Sequence, residues 1–116
     1  MNDYMLIYRG GDKDWMTNTS PEDMAEAMEQ WGQWMANLEE RKQLVSGGSP
    51  LIYEGKRLTG DGVVTDVSLA EIKELVTGYS IVRTKNIDEA IEIAKECPIF
   101  LHPDITVEIR EVAQIE

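Results

Sequence analysis

The chain has 116 residues, of which 42% are apolar, and this length and composition predict one packed domain over residues 1–116. It carries 22 acidic and 11 basic residues, for a net charge of −11, and its basic residues do not cluster. A nucleic-acid surface needs clustered Lys and Arg, so no nucleic-acid partner is expected. The acidity is better explained by solubility.

The cysteine content and the apolar runs limit the cellular compartments in which the protein is expected. Cys97 is the only cysteine, so neither an internal disulfide nor a Cys-x-x-Cys zinc motif is possible. The first residues lack the basic and long apolar regions of a signal peptide, and no window approaches the roughly 18 apolar residues of a membrane span. We therefore expect a cytoplasmic protein without membrane contact.

The first half of the chain predicts a strand followed by a long helix. Tyr4–Tyr8 is an apolar run that ends at a glycine pair, and a polar loop follows over 12–19. Ser20 and Pro21 form a good helix start, and the helix is expected to run to about Leu44, before Gly47-Gly48. Its apolar stripe is predicted to be Met24, Met28, Trp31, Met35 and Leu38.

The second half alternates short strands with helices. Residues 51–53 fit either a strand or an extended loop, and Ser68 begins a capping-box pattern for a short helix through Leu75. Asn86 and Glu89 form a second capping box, for a helix that Pro98 ends. Strands are predicted at 63–67, at 78–84 and, from the alternation of Ile105, Val107 and Ile109, at the end of the chain.

This order of elements predicts an α+β fold. Two main helices on one face of an antiparallel sheet give the ferredoxin-like arrangement with one added segment. Such a sheet leaves its other face open, and a second copy of the chain can cover that face. The mixed polar and apolar character of the last strand would then line an inner cavity.

An ordered set of short segments resembles the YCII-related proteins of the DGPF subgroup over nearly the whole chain. The segments are Tyr4-Met5-Leu6-Ile7-Tyr8, Ser20-Pro21-Glu22, Trp31-Gly32-Gln33-Trp34, Asp61-Gly62, Lys73-Glu74, Gly78-Tyr79, and Asp88-Glu89-Ala90 followed by Ala94 and Pro98. The resemblance implies a dimeric α+β barrel with a cleft between its sheets, in a family of mostly uncharacterised proteins.

The chain departs from that family in two places. The Asp-Gly-Pro-Phe signature is reduced to Asp61-Gly62, followed by Val63-Val64. The helix histidine and later aspartate that are proposed as an acid–base pair in proteins closest to YCII are also missing. The first helix has no histidine, and the aspartate position falls near Cys97.

Asp61 and His102 are the candidate catalytic residues. Asp61 lies in a glycine-flanked turn, where it could act as a base or accept a hydrogen bond from a ligand, or could simply bond its own backbone. His102 is the only histidine, and its usual pKa suits proton transfer, although a loop histidine often has no role.

Five residues are candidate ligand contacts. Lys73 or Arg110 could hold an anionic group, although a solvated face and an ion pair with Glu108 explain them equally simply. The aromatic candidates are Tyr8, Trp34 and Tyr79, with Trp31 assigned to packing because it lies on the helix stripe. Cys97, at a core-facing helix end, is better explained as a buried thiol than as a nucleophile.

Together these features predict a homodimer that binds a small organic molecule, aromatic or carboxylic, with acid–base catalysis as one possible activity. The alternative is a non-catalytic ligand-sensing or protein-interaction module. We expect no cofactor and no metal, because one histidine, one cysteine and carboxylates without EF-hand spacing make no ligand set, and the chain lacks a glycine-rich phosphate loop.

Overall fold

A computed structural model describes residues 1–67 and 72–115 of the chain. Within these residues the α-helices are α1 (Trp15–Asn18), α2 (Pro21–Glu40) and α3 (Ile87–Lys95), and short 3₁₀ turns cover Ile72–Glu74 and Pro98–Leu101. The strands are β1 (Asn2–Gly10), β2 (Leu44–Ser46), β3 (Lys56–Leu58), β4 (Val64–Asp66), β5 (Val76–Thr84) and β6 (Ile105–Glu111).

The main sheet has four strands in the order β2-β5-β1-β6, and its neighbouring strands are antiparallel. With α2 and α3 these strands follow the order β-α-β-β-α-β, which confirms the predicted α+β, ferredoxin-like arrangement. The predicted additional segment is in part a separate hairpin, β3-β4, which is inserted between β2 and β5.

The core lies between one face of the sheet and the two long helices. Leu6 is paired with Ser80 on one side and with Ile109 on the other, so even positions of β1 and β5 share a face with odd positions of β6. Leu6 and Val82 are fully buried on that face. The core cluster continues with Tyr4, Tyr8, Trp34, Leu38, Ala90, Ile93, Ala94, Cys97 and Ile99.

The start of α2 was predicted correctly, its end was not, and its buried face was predicted in part, since Leu38 of the predicted stripe is buried and Trp31 and Met35 pack against the core. The Ser20 hydroxyl accepts a hydrogen bond from the Asp23 amide at 3.1 Å, as a helix cap should. The helix ends at Glu40, because Lys42 has φ 60° and turns the chain into β2, a strand that the sequence did not predict. Met28, which we placed on the apolar stripe, is 69% exposed. The buried residues of the helix are Ala27, Trp34 and Leu38.

The second half follows the prediction more closely. The Asn86 side chain accepts a hydrogen bond from the Glu89 amide at 3.0 Å, which confirms the start of α3. Residues 51–53 form a loop, and the loop predicted over 12–19 contains the single turn of α1. The capping-box pattern at 68–71 lies outside the described residues.

The sheet face away from the helices, here called the open face, has an apolar centre between charged pairs. Its centre consists of Met5, Ile7, Tyr79 and Ile81, which are neighbours in the register and each partly exposed. On one side Arg83 donates to Asp3 at 2.7 Å. On the other side Glu108 lies between Arg9 and Arg110, at 3.5 Å and 3.7 Å.

The β3-β4 hairpin is an exposed arm. Leu58 and Val64 are paired across it and are 70% and 59% exposed. Asp61 lies in the turn that joins the two strands. Among the residues that the structure describes, no helix has the length and apolar character needed to cross a bilayer.

Candidate functional site

An apolar cavity of about 330 Å³ lies between α2 and the loop after β2, and we call it the aromatic cleft. Such a volume lies at the small end of the range for ligand pockets. The walls come from β1, α2, the 47–50 loop, β5 and the segment after α3. The described residues that line it are Tyr8, Met28, Trp31, Met35, Gly47, Gly48, Ser49, Pro50, Thr77, Gly78, Tyr79, Ile99 and His102.

A second cavity of about 530 Å³, the outer cavity, adjoins the aromatic cleft. The two cavities share Pro50, Thr77, Ile99 and His102. The outer cavity is also bounded by the segment between β1 and α2, in which Trp15 begins α1, and by the 51–54 loop, which carries Tyr53. One elongated molecule could therefore contact both cavities and pass His102.

His102 is the titratable group at the junction of the cavities. Its ring is half-buried and packs against the indole of Trp15, with ring centroids 4.3 Å apart and planes inclined by 52°. Burial lowers the pKa of His102 below its usual 6.5, because removing water disfavours the charged form. At neutral pH the imidazole is therefore neutral and can accept a proton.

Tyr8 forms the floor of the aromatic cleft. Its hydroxyl donates to the Ser80 hydroxyl at 2.7 Å, and Ser80 donates in turn to the Gly47 carbonyl at 3.0 Å. The sulfur of Cys97 lies 3.5 Å from the Tyr8 oxygen. Burial, reinforced by Cys97, raises the pKa of Tyr8 far above its usual 10, so the phenol remains protonated. Tyr8 is thus a neutral, fully bonded wall of the cleft.

The 47–50 loop is held against the sheet in a way that requires glycine. Gly48 has φ +72°, and a Cβ atom there would lie 1.6 Å from the carbonyl oxygen of Tyr79. Its amide is bonded to the Ser46 side chain at 3.0 Å, and Pro50 forms a bridge with Gly78. Only a residue without a side chain fits this close approach. In the sequence, the glycine pair indicates only a helix stop.

The structure brings together three of the seven predicted site residues. Tyr8, Tyr79 and His102 all line the aromatic cleft. Tyr79 is also paired with Ile7 in the register, which places its side chain on the open face.

Asp61 does not line either cavity within one copy of the chain. It is fully exposed, and it accepts hydrogen bonds from the Thr59 hydroxyl and from the Val63 amide at 3.4 Å. These bonds, that from Thr59 first, lower the pKa of Asp61 below its usual 3.8. This is the arrangement of a turn aspartate that bonds its own backbone.

The other three candidates also lie elsewhere. Lys73 is exposed in the 3₁₀ turn before β5, and Arg110 forms an ion pair with Glu108 on the open face. Trp34 is buried in the core, and its indole nitrogen donates to the Ile93 carbonyl at 3.3 Å. Trp31 packs against the core, as we expected, but it also lines the cleft, whereas Trp34, which we expected at a cleft or interface, is buried.

Several wall residues are not among those predicted from the sequence. Trp31 lies edge-on to Tyr8, with centroids 6.0 Å apart, so the two rings form one corner of the cleft. Trp15 and Tyr53 belong to segments for which the sequence predicted no binding role. Their sequence neighbourhoods carry no binding signal, because single aromatic residues are common at protein surfaces.

No group of three or more His, Cys, Asp or Glu residues among 1–67 and 72–115 could hold a metal ion.

The fold and its cavities define an α+β protein with a ferredoxin-like sheet and a small cleft beside its helix-covered face. The chain belongs to the YCII-related domain family, whose family model matches residues 4–116. A comparison with curated proteins finds no match.

Proposed function

We propose that this protein binds a small organic molecule, with a ring-sized apolar part in the aromatic cleft and the remainder in the outer cavity beside His102. The observation that carries this proposal is the cleft itself. Its apolar lining includes Tyr8, Trp31, Met28 and Met35. The Tyr8 hydroxyl already donates a hydrogen bond to Ser80. An apolar group can enter such a site without leaving a buried polar atom unpaired.

Binding without catalysis is the function that this geometry supports best. Among the described residues that line the aromatic cleft, His102 is the one that can change its charge near neutral pH. Asp61, the second candidate for proton transfer, belongs to the exposed hairpin of the same chain. The family membership adds no reaction to this picture.

A thermal-shift screen against small aromatic compounds tests the proposal. A ligand at about 100 times its dissociation constant stabilises the folded state by about 2.7 kcal/mol, which raises the melting temperature by several degrees in a domain of this size. A hit should be lost in Met28→Glu, which puts a charge into the apolar wall at a largely exposed position.

Ala25→Glu is the matched control, because it adds the same charge on the same helix at an exposed residue outside both cavities. It should leave the shift unchanged. If no aromatic compound stabilises the protein, or if both variants bind as the parent does, the cleft is not the binding site.

Two copies of the chain pair through the open face in this proposal. The apolar centre of Met5, Ile7, Tyr79 and Ile81 supports it, because a contiguous apolar patch ringed by charged residues is typical of an interface. Ile7→Lys puts a charge into the apolar centre of this face, so the variant should be a monomer in sedimentation equilibrium. It should remain folded, because the new charge lies opposite Glu108 on the neighbouring strand. Phe100→Lys, at an exposed position in a 3₁₀ turn, should leave a dimer intact.

A second candidate function is proton transfer by His102 on the bound molecule. The observation that favours it is the low pKa of this half-buried imidazole at the junction of the two cavities. A neutral imidazole can take up a proton and so act as a general base. For any compound found to be converted, His102→Gln should abolish turnover and retain binding. Unchanged turnover in that variant would exclude this candidate.

A further inference from the structure

The two cavities differ sharply in charge. Among the described residues that line the aromatic cleft, the ionisable side chains are His102 and the two phenols of Tyr8 and Tyr79. The outer cavity is lined by three carboxylates, Asp12, Asp14 and Glu54, against the single cation of Lys13. A molecule that spans both cavities therefore meets an apolar environment at one end and an excess of negative charge at the other.

Aromatic rings lie beside these carboxylates. Trp15 and Tyr53 both line the outer cavity. Gly11, with φ +100°, lets the Tyr53 hydroxyl approach closely, since a Cβ atom there would be 2.9 Å from that oxygen. The hydroxyl donates to the Gly10 carbonyl at 3.4 Å, which fixes the ring. Faces of Trp and Tyr rings attract cations through their quadrupoles.

The negative potential acts on a group inside the cavity itself. The pKa of Tyr53 is raised above its usual 10 by burial and, next, by the charge of Asp12. A nearby carboxylate disfavours a second negative charge, and the same potential favours a positive charge. The net charge of −11 for the whole chain adds a field of the same sign.

We propose that the ligand of this site is a cationic amphiphile, in which a ring-sized apolar group fills the aromatic cleft and an amine lies in the outer cavity among Asp12, Asp14 and Glu54. This inference rests on the proposed function and adds the chemical class of the ligand. It also replaces the carboxylic ligand that the sequence suggested. Lys73 and Arg110, the residues expected to hold an anion, do not line either cavity.

Three probes of nearly equal shape separate charge from shape. They are 2-phenylethylamine, 2-phenylethanol and phenylacetate, which place a cation, a neutral hydroxyl and an anion at the end of the same short chain. Dissociation constants from NMR titration should rise in that order, with the amine binding about tenfold more tightly than the alcohol at low ionic strength.

Two changes should remove this order. Raising the salt from about 0.01 M to about 1 M shortens the Debye length from about 30 Å to about 3 Å, so the amine should approach the alcohol in affinity. The double variant Asp12→Asn/Glu54→Gln should also bring the affinity for the amine close to that for the alcohol. The new side-chain amide at position 12 keeps an oxygen that can accept a hydrogen bond from the backbone amide of Asp14. Glu22→Gln/Glu40→Gln removes the same charge from exposed ends of α2 and should leave the order intact.

The outcomes separate the two proposals. If phenylacetate binds as tightly as the amine, or if the double variant in the outer cavity keeps the full preference, the cationic class is wrong while the cleft remains a binding site. If none of the three probes binds the parent protein and the aromatic screen is also flat, the proposed function fails and this inference fails with it.

Discussion

The imidazole of His102 packs against the indole of Trp15 at a centroid separation of 4.3 Å, where the loop after β1 meets the segment after α3. The contact shields one side of the imidazole from water, and burial is the cause of its lowered pKa. Two segments that are far apart in the chain thus set the protonation state of the one histidine.

The first prediction concerns the pH dependence of stability. Because the pKa of His102 is lower in the folded state than the usual 6.5, the unfolded chain binds more protons as the pH falls below about 6.5. His102 therefore subtracts stability progressively on acidification, until the pH lies below its folded pKa. His102→Gln should lose less stability than the parent between about pH 7.5 and about pH 5, measured by urea unfolding.

Parallel loss of stability in the two proteins would contradict this prediction. It would mean that His102 titrates alike in the folded and unfolded states, and that the ring is more hydrated than its contact with Trp15 indicates. A direct check is the pH titration of the imidazole proton resonances by NMR, whose midpoint should lie below 6.5.

The second prediction concerns the buried relay below the aromatic cleft. Tyr8→Phe removes the donor to Ser80 and leaves the buried Ser80 oxygen with one partner fewer. The free energy of unfolding should fall by about 1–2 kcal/mol, since a net hydrogen bond is lost inside the core. Urea unfolding measures the change.

Tyr4→Phe is the matched control on the same strand and the same sheet face. Its hydroxyl is bonded at 3.3 Å to Glu111, an exposed residue, so water can replace the bond. The loss there should be at most about 0.5 kcal/mol. Equal losses at the two positions would show that the Tyr8–Ser80 bond adds nothing beyond an ordinary surface bond.

The third prediction separates steric exclusion from backbone strain. Gly48 and Gly62 both have positive φ, at +72° and +88°. A Cβ atom at Gly48 would overlap the Tyr79 carbonyl oxygen, whereas one at Gly62 meets nothing within 4 Å. Gly62→Ala should therefore cost about 1 kcal/mol, from strain alone. Gly48→Ala should cost about 3 kcal/mol or more and should displace the 47–50 loop.

Loop displacement in Gly48→Ala can be followed by the loss of probe binding in the aromatic cleft, which the loop lines. If both alanine variants unfold at the same urea concentration as the parent, the close approach of Gly48 to Tyr79 does not exist in solution.

The fourth prediction concerns Asp61. Because its carboxylate is bonded to Thr59 and Val63 in the hairpin turn, Asp61→Asn should leave the affinity for the three phenyl probes unchanged within about twofold. NMR titration measures this directly. A large loss of affinity would instead mean that the arm of one copy completes the cleft of another, and analytical ultracentrifugation of the variant would then show whether pairing persists.

Strand β6 and helix α3 could be predicted because their sequence signals are local. The alternation of Ile105, Val107 and Ile109 fixes one face of β6, and the Asn86–Glu89 capping box fixes the start of α3. These patterns depend on neighbours in the chain. Tertiary contacts left the predicted strand and the predicted helix start unchanged.

The spacing of apolar residues predicted the buried face of α2 only in part, because two apolar sets share the helix. The predicted stripe of Met24, Met28, Trp31, Met35 and Leu38 recurs at helical spacing, and so does the set of Ala27, Trp34 and Leu38, which shares Leu38 with it. The second set is buried because Ala27 and Trp34 face the core, where Trp34 can donate to the Ile93 carbonyl. That carbonyl is distant in sequence, so only the fold reveals the choice.

The cleft was missed for a related reason. It is assembled from five separate segments, and its narrowest constraint is the contact between Gly48 and the backbone of Tyr79. A glycine pair after a helix has the same appearance whether it stops the helix or admits a neighbouring strand. Asp61, by contrast, stood out in the sequence because its turn signal is strong, and that turn lies in the exposed hairpin.

The placement of the three tryptophans gives the protein a built-in optical reporter. Trp15 borders the outer cavity and Trp31 borders the aromatic cleft, while Trp34 is enclosed in the core with its indole nitrogen bonded. Indole emission responds to the polarity around the ring, and a ligand that displaces water from the cavities changes that polarity for the first two rings only. Unlabelled protein can therefore signal which end of a molecule has entered, through Trp15→Phe and Trp31→Phe variants read in a fluorimeter.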